Sequence, residues 1–180
     1  FSILDPTYTF SVPKNQTAAG TVDIFSHILE QYFSPTTDAF VQNRMAESLL
    51  KTCIEYGPLV LAEPANYAAR AELMWTSSLA LNGILGYGRL SDWATHGIEH
   101  AVSAVYDVTH GVGLAILTPY WMQYVFDEET KGKFVEYARN VWGIKGTNED
   151  VVAKKGMEKT REFFSCLGMP KTLREVGIKE

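Results

Sequence analysis

The stretch Trp93-Ala94-Thr95-His96-Gly97-Ile98-Glu99-His100-Ala101-Val102-Ser103, running on to Val108-Thr109-His110-Gly111, decides how the chain is read. His96 and His100 are four positions apart, a spacing that puts two side chains on one helix face with β-carbons about 5–6 Å apart. His110 lies 14 positions beyond His96. In one unbroken helix that separation is about 21 Å. Metal–imidazole bonds are only about 2.0–2.1 Å long, so His96 and His110 can share an ion only if the helix breaks between them. Tyr106-Asp107-Val108-Thr109 offers the break, and Thr109 can cap a new helix opening at His110. The stretch predicts helix, turn and helix, with the histidines returned to one point.

The same helical period extends in both directions. Residues 17–33 carry Val22, Phe25, Ile28, Leu29 and Tyr32 at helical spacing. Pro35-Thr36-Thr37-Asp38 breaks that helix and caps a second, which is expected to run to about Tyr56 and stop at Gly57-Pro58. A third covers about residues 64–85. Ser91 or Asp92 caps the histidine helix, expected to end near Tyr106. Beyond it, helices are expected over about 110–126, with Pro119 as a kink or break, over 127–142, over 148–167, and briefly over 173–176. Only residues 1–12 read differently. Phe1-Ser2-Ile3-Leu4 and Tyr8-Thr9-Phe10-Ser11-Val12 alternate like two short strands around an Asp5-Pro6 turn. The expected fold is an all-α helical bundle of about seven helices (13–180), preceded by a short β-strand stub or linker (1–12). The chain is expected to be a segment of a longer polypeptide, because it opens inside a strand-like run.

Composition limits the function classes. The chain has 180 residues, 46% hydrophobic and 21% charged, with a formal net charge of -5, which suits a globular domain. It carries no basic footprint for nucleic acid, and no apolar run reaches the ~20 residues needed to cross a bilayer. Cys53 and Cys166 each fall in an apolar helical pattern and read as free core thiols. That fits a reducing cytoplasm.

Four histidines are present: His27, His96, His100 and His110. His27 follows Asp23 by four, so that a carboxylate and an imidazole share a helix face. With the later histidines they form a mixed oxygen and nitrogen donor set. Such a set suits Fe(II), Zn(II), Co(II) or Ni(II) and lacks the thiolates of most structural zinc sites. An open coordination position at such a site implies Lewis-acid catalysis. Spacing admits either His96 or His100 as a ligand. Glu99 reads as a solvated helix residue or as a general base, and Asp107 as a cap or a ligand-orienting group. Gly86-Tyr87-Gly88 and Gly111-Val112-Gly113 follow no predicted strand and read as loop and packing glycines rather than a dinucleotide fingerprint. Trp75, Trp93, Trp121 and Trp142 read as core or pocket walls.

The histidine block resembles the iron-containing (group III) alcohol dehydrogenases, and most closely their butanol dehydrogenase and NADPH-dependent aldehyde reductase branch. Leu4-Asp5-Pro6-Thr7-Tyr8-Thr9, Ala19-Gly20-Thr21-Val22-Asp23, His27 and Glu30-Gln31-Tyr32 match in the same order. The resemblance implies the helical C-terminal half of a two-domain enzyme whose N-terminal nucleotide-binding domain lies outside this chain. It implies Asp23, His27, His96 and His110 as ligands of Fe2+ or Zn2+. It implies His100 as a catalytic residue near substrate and nicotinamide, and Tyr8 and Ser11 as further contacts of NAD(H) or NADP(H). The implied reaction is reversible hydride transfer between a primary alcohol and an aldehyde, with the chain alone inactive and a homodimer the implied assembly. A glycerol or polyol dehydrogenase of the same superfamily is the near alternative. An all-helical metal-dependent phosphohydrolase is disfavoured, because those enzymes place Asp directly after His and no His-Asp pair occurs here. A non-catalytic helical interaction domain would leave the histidines as packing residues.

Overall fold

Asp5 and Pro6 turn the leading segment away from a strand. In the computed structural model, which describes residues 1–179, the Asp5 carboxylate accepts from the Thr7 backbone N–H at 3.0 Å and from the Thr7 hydroxyl at 2.7 Å. Pro6 takes the first position of a 3-10 helix, Pro6–Thr9, where a missing N–H costs nothing. The hydroxyl bond also holds the Asp5 carboxyl below its usual range. The two expected strands are therefore absent, and no strand occurs among the described residues. An isolated alternating run has no ladder partner to make it a strand, and Phe1, Ile3 and Tyr8 are solvent-exposed.

The described residues form seven α-helices and divide into two compact units, Phe1–Ser91 and a second from Asp92 onward. In the first unit, α1 (Lys14–Tyr32), α2 (Phe40–Ala62) and α3 (Tyr67–Leu81) pack against one another in all three pairings. Each contributes one apolar stripe at helical spacing. Ala18, Val22, Phe25, Leu29 and Tyr32 come from α1, Ala46, Leu50, Cys53 and Val60 from α2, and Ala69, Leu73 and Ala80 from α3. Burying a large apolar side chain stabilises by about 1.5–3 kcal/mol each. Polar ties fix the register. Gln31 donates through Nε2 to the Ala80 carbonyl at 2.7 Å, and the Tyr32 hydroxyl donates to Glu47 at 2.8 Å. Arg70 donates to the Thr17 hydroxyl and the Pro64 carbonyl, and burial lowers the pKa of its guanidinium.

Pro58 does not end the second helix as the sequence suggested, for α2 continues to Ala62. A proline there removes one backbone bond, but Val60 beyond it is buried, and that packing keeps the last turn helical. Trp75 is 56% exposed, which excludes the core half of its reading as a core or pocket-wall residue. Cys53 is buried, and burial pushes its thiol well above the usual range. Cys166 is exposed rather than a core thiol.

In the second unit α4 (Ala94–Tyr106) pairs with α5 (His110–Tyr124), while α5 and α6 (Lys131–Asn140) pack on α7 (Glu149–Cys166). Pro119 lies inside α5 without breaking it. Asn148 caps α7 by accepting from the Val151 N–H at 3.1 Å. Residues 173–176 form a 3-10 helix, Leu173–Val176. The core is built on Leu114, Met122, Phe134, Tyr137, Val152 and Phe164. The buried Tyr137 hydroxyl is satisfied by Thr160 at 2.5 Å.

Helices α6 and α7 meet at Gly156, where a β-carbon would lie 2.8 Å from the Ala138 β-carbon and 3.2 Å from its α-carbon. Neither atom belongs to a flexible side-chain end, so the helices must part to admit it. Gly156→Ala is expected to destabilise the protein by about 1 kcal/mol net, within roughly 0–2 kcal/mol. Overpacking costs about 1–3 kcal/mol, against a helix-propensity gain of about 1 kcal/mol. A denaturant midpoint at or above that of the parent would show that the crossing tolerates a methyl.

Candidate metal centre

On α1 the stripe of Val22, Phe25 and Leu29 faces the core, which leaves Asp23 and His27 half-buried on an adjoining face. The i, i+4 relation brings Asp23 Oδ1 to 3.3 Å from His27 Nε2. Two donor atoms of opposite chemistry are thus presented side by side from a helix anchored by fully buried neighbours.

The second unit positions the other three histidines through two left-handed residues. Trp93, with φ 54°, precedes α4, and the Asp92 carboxylate accepts from the Ala94 N–H at 2.9 Å. Asp107, also with φ 54°, ends α4, and its N–H donates to the Ser103 carbonyl at 3.0 Å. Asp107 is thus a backbone cap. Thr109 leaves the helical region, and its carbonyl accepts from the Val112 and Gly113 N–H groups at 2.9 and 3.0 Å. The expected side-chain cap from Thr109 is not formed, because the backbone alone starts α5.

The expected break is therefore present. His96 and His110, which a continuous helix would hold about 21 Å apart, have ring centroids 5.2 Å apart. His100 stacks on His110, also at 5.2 Å, and lies 6.2 Å from His96. His96 is buried against the edge of Trp93, whereas His100 is exposed.

Glu99 departs most from the sequence reading. It is fully buried, not a solvated helix residue. Its Oε2 engages His110 Nδ1, and its Oε1 accepts from the Ser103 hydroxyl. That hydroxyl also lies 2.8 Å from the Val108 carbonyl. Glu99, His100 and His110 each offer one atom within 4.8 Å of the others. The signal for Glu99 was Ser103, one helical turn ahead on the same face. Tyr8 sits exposed on the 3-10 helix Pro6–Thr9, and Ser11 is exposed in the turn after it.

The donor chemistry fits a divalent transition metal. Carboxylate and imidazole are present in each unit, and among the described residues no thiol joins them, the pattern of mixed oxygen and nitrogen sites.

Residues 17–180 match the family described as "Fe-containing alcohol dehydrogenase family, C-terminal". The chain belongs to this family. Among relatives of this Fe-containing alcohol dehydrogenase chain, NADH-dependent butanol dehydrogenase B of Clostridium acetobutylicum is 59% identical over 182 residues, covering 100% of this chain and 47% of the relative. NADPH-dependent aldehyde reductase YqhD of Escherichia coli is 42% identical over 180 residues, covering 99% and 46%. A solved structure of the aldehyde reductase YqhD superposes with a TM-score of 0.95 at 40% identity, covering 99% of this chain and 47% of that one. The chain thus spans just under half the length of the relatives it matches.

Proposed function

We propose that this chain is the metal- and substrate-binding half of a butanol dehydrogenase-like enzyme that interconverts primary alcohols and aldehydes with NAD(H) or NADP(H). The observation that carries the reading is the turn at 107–109, which places His110 beside His96 in a chain of this family. Asp23, His27, His96 and His110 hold one Fe2+ or Zn2+ ion in this reading. Bound there, the cation supplies Lewis acidity toward developing negative charge on the substrate oxygen, and the nicotinamide supplies the hydride exchange.

The chain's own residues do the rest. Asp23 contributes the anionic ligand that offsets part of the cation's charge. His100, exposed and stacked on His110, takes the hydroxyl proton of the alcohol and releases it to solvent. The balance is alcohol plus NAD(P)+ giving aldehyde, NAD(P)H and one proton. Tyr8 and Ser11 face the nicotinamide cofactor, whose nucleotide portion is held by a separate N-terminal nucleotide-binding domain of the whole enzyme. No described helix is long and apolar enough to cross a membrane. The two free cysteines fit a cytoplasmic enzyme.

The test uses the protein with whatever sequence flanks this chain in its gene, purified without air. It is expected to hold one metal per chain. Chelation should abolish NAD(P)-dependent oxidation of butan-1-ol, and adding back Fe2+ or Zn2+ should restore it. Undiminished turnover after complete metal removal would overturn the reading.

A further inference from the structure

A fully buried carboxylate is costly unless every oxygen is engaged. Glu99 meets that condition with two partners and no exposure to solvent. Ser103 holds Oε1, and His110 Nδ1 meets Oε2. A carboxylate only accepts, so the proton between Glu99 and His110 sits on Nδ1, and Nε2 is the ring nitrogen left to meet a metal. Gly113 guards the arrangement from the next helix. A β-carbon there would fall 2.7 Å from Glu99 Cγ and 3.0 Å from Cδ, with Oε1 inside contact distance as well.

We infer that Glu99 is a positioning residue: it fixes the tautomer and pose of His110 so that Nε2 alone is offered to the metal, and Gly113 is glycine to leave room for its carboxylate. This rests on the metal reading above. It sets Glu99 apart from the ligands themselves, since both of its oxygens are already taken. It also sets Glu99 apart from the general base that its neighbouring histidines suggested, because a base must reach the substrate and this carboxylate is sealed from solvent. Outer-sphere partners of this kind typically change metal affinity 10- to 100-fold.

The experiment compares the parent protein with Glu99→Gln, Gly113→Ala, Gly156→Ala and His110→Ala. Zn2+ affinity is measured by chelator competition, and the His110 tautomer in the metal-free parent is read by nitrogen-15 NMR. The parent should show Nδ1 protonated and Nε2 bare. Glu99→Gln should retain one Zn2+ per chain with affinity lower by about 10- to 100-fold, because an amide can donate or accept at Nδ1 and no longer selects the tautomer. Gly113→Ala should lose affinity in the same direction, because its β-carbon displaces the buried Glu99 side chain; overpacking of about 1–3 kcal/mol against a helix gain of about 1 kcal/mol also lowers its melting temperature. A loss of general packing would instead lower Zn2+ affinity as much in Gly156→Ala, which crowds α6 against α7 and leaves Glu99 in place. Parent-like affinity in both Glu99→Gln and Gly113→Ala overturns the inference, as does a bare Nδ1 in the parent. Metal loss in Glu99→Gln as complete as in His110→Ala also overturns it, by making Glu99 a ligand. If the parent binds no Zn2+, the metal reading fails by itself, and the tautomer measurement still decides what Glu99 does to His110.

Discussion

In the proposed site, replacing His110 or His96 with alanine is expected to leave the protein without bound metal. A structural zinc ion in a zinc-finger peptide contributes about 10–16 kcal/mol, which sets the scale. Shared among four ligands, that is roughly 3 kcal/mol each, or on the order of 100-fold in affinity. Loss is larger when the remaining ligands cannot close the sphere. Elemental analysis after gel filtration reads this directly. His100→Ala makes the contrast. Its ring stacks on His110 but is exposed, and in the proposed roles it moves a proton. Turnover should fall by about 100- to 10,000-fold while one metal per chain remains. Equal metal loss in His100→Ala and His110→Ala would refute the division of roles.

Phe25→Ala is expected to produce the largest loss of stability of the substitutions considered. Phe25 lies on α1 between Asp23 and His27, is fully buried, and anchors the stripe that presents both donors. Truncating a buried phenylalanine costs about 3–5 kcal/mol, through lost transfer energy and the cavity left behind. For a chain of this size each kcal/mol lowers the melting temperature by about 2–4 °C, so a fall of roughly 6–20 °C is expected by circular dichroism. A fall under about 2 °C would show that the site is not closely packed.

The helices were legible because their apolar stripes repeat at 3.6 residues, as Val22, Phe25, Leu29 and Tyr32 do in α1. The break at 107–109 was legible from a distance argument, since a metal shared by His96 and His110 allows nothing else. What the sequence obscured depends on contacts distant along the chain. Tyr8, Phe10 and Val12 alternate like a strand, yet Asp5 captures Thr7 first. Pro58 reads as a stop, yet the burial of Val60 carries α2 past it. Glu99 reads as solvated because glutamate on a helix usually is. Its partner His110 lies 11 positions away, across a turn whose shape no local pattern specifies. Tyr8, Ser11 and the ligand roles came from resemblance, because spacing alone does not say which of two histidines one turn apart meets an ion.

Two left-handed residues bracket α4, Trp93 before it and Asp107 after it. Neither is glycine, and each holds a conformation that costs an ordinary residue about 1–2 kcal/mol. A helix closed at both ends in this way behaves like a ruler of fixed length. One residue inserted between Glu99 and Tyr106 would turn everything downstream by about 100° and swing His110 off its carboxylate. The segment from Trp93 to His110 therefore tolerates exchange of its outward residues, such as Ile98 and Val105, far better than any change in its length. The exposed residues 145–147, in the connection between α6 and α7 and with no proposed role at the site, are where this unit has room to grow.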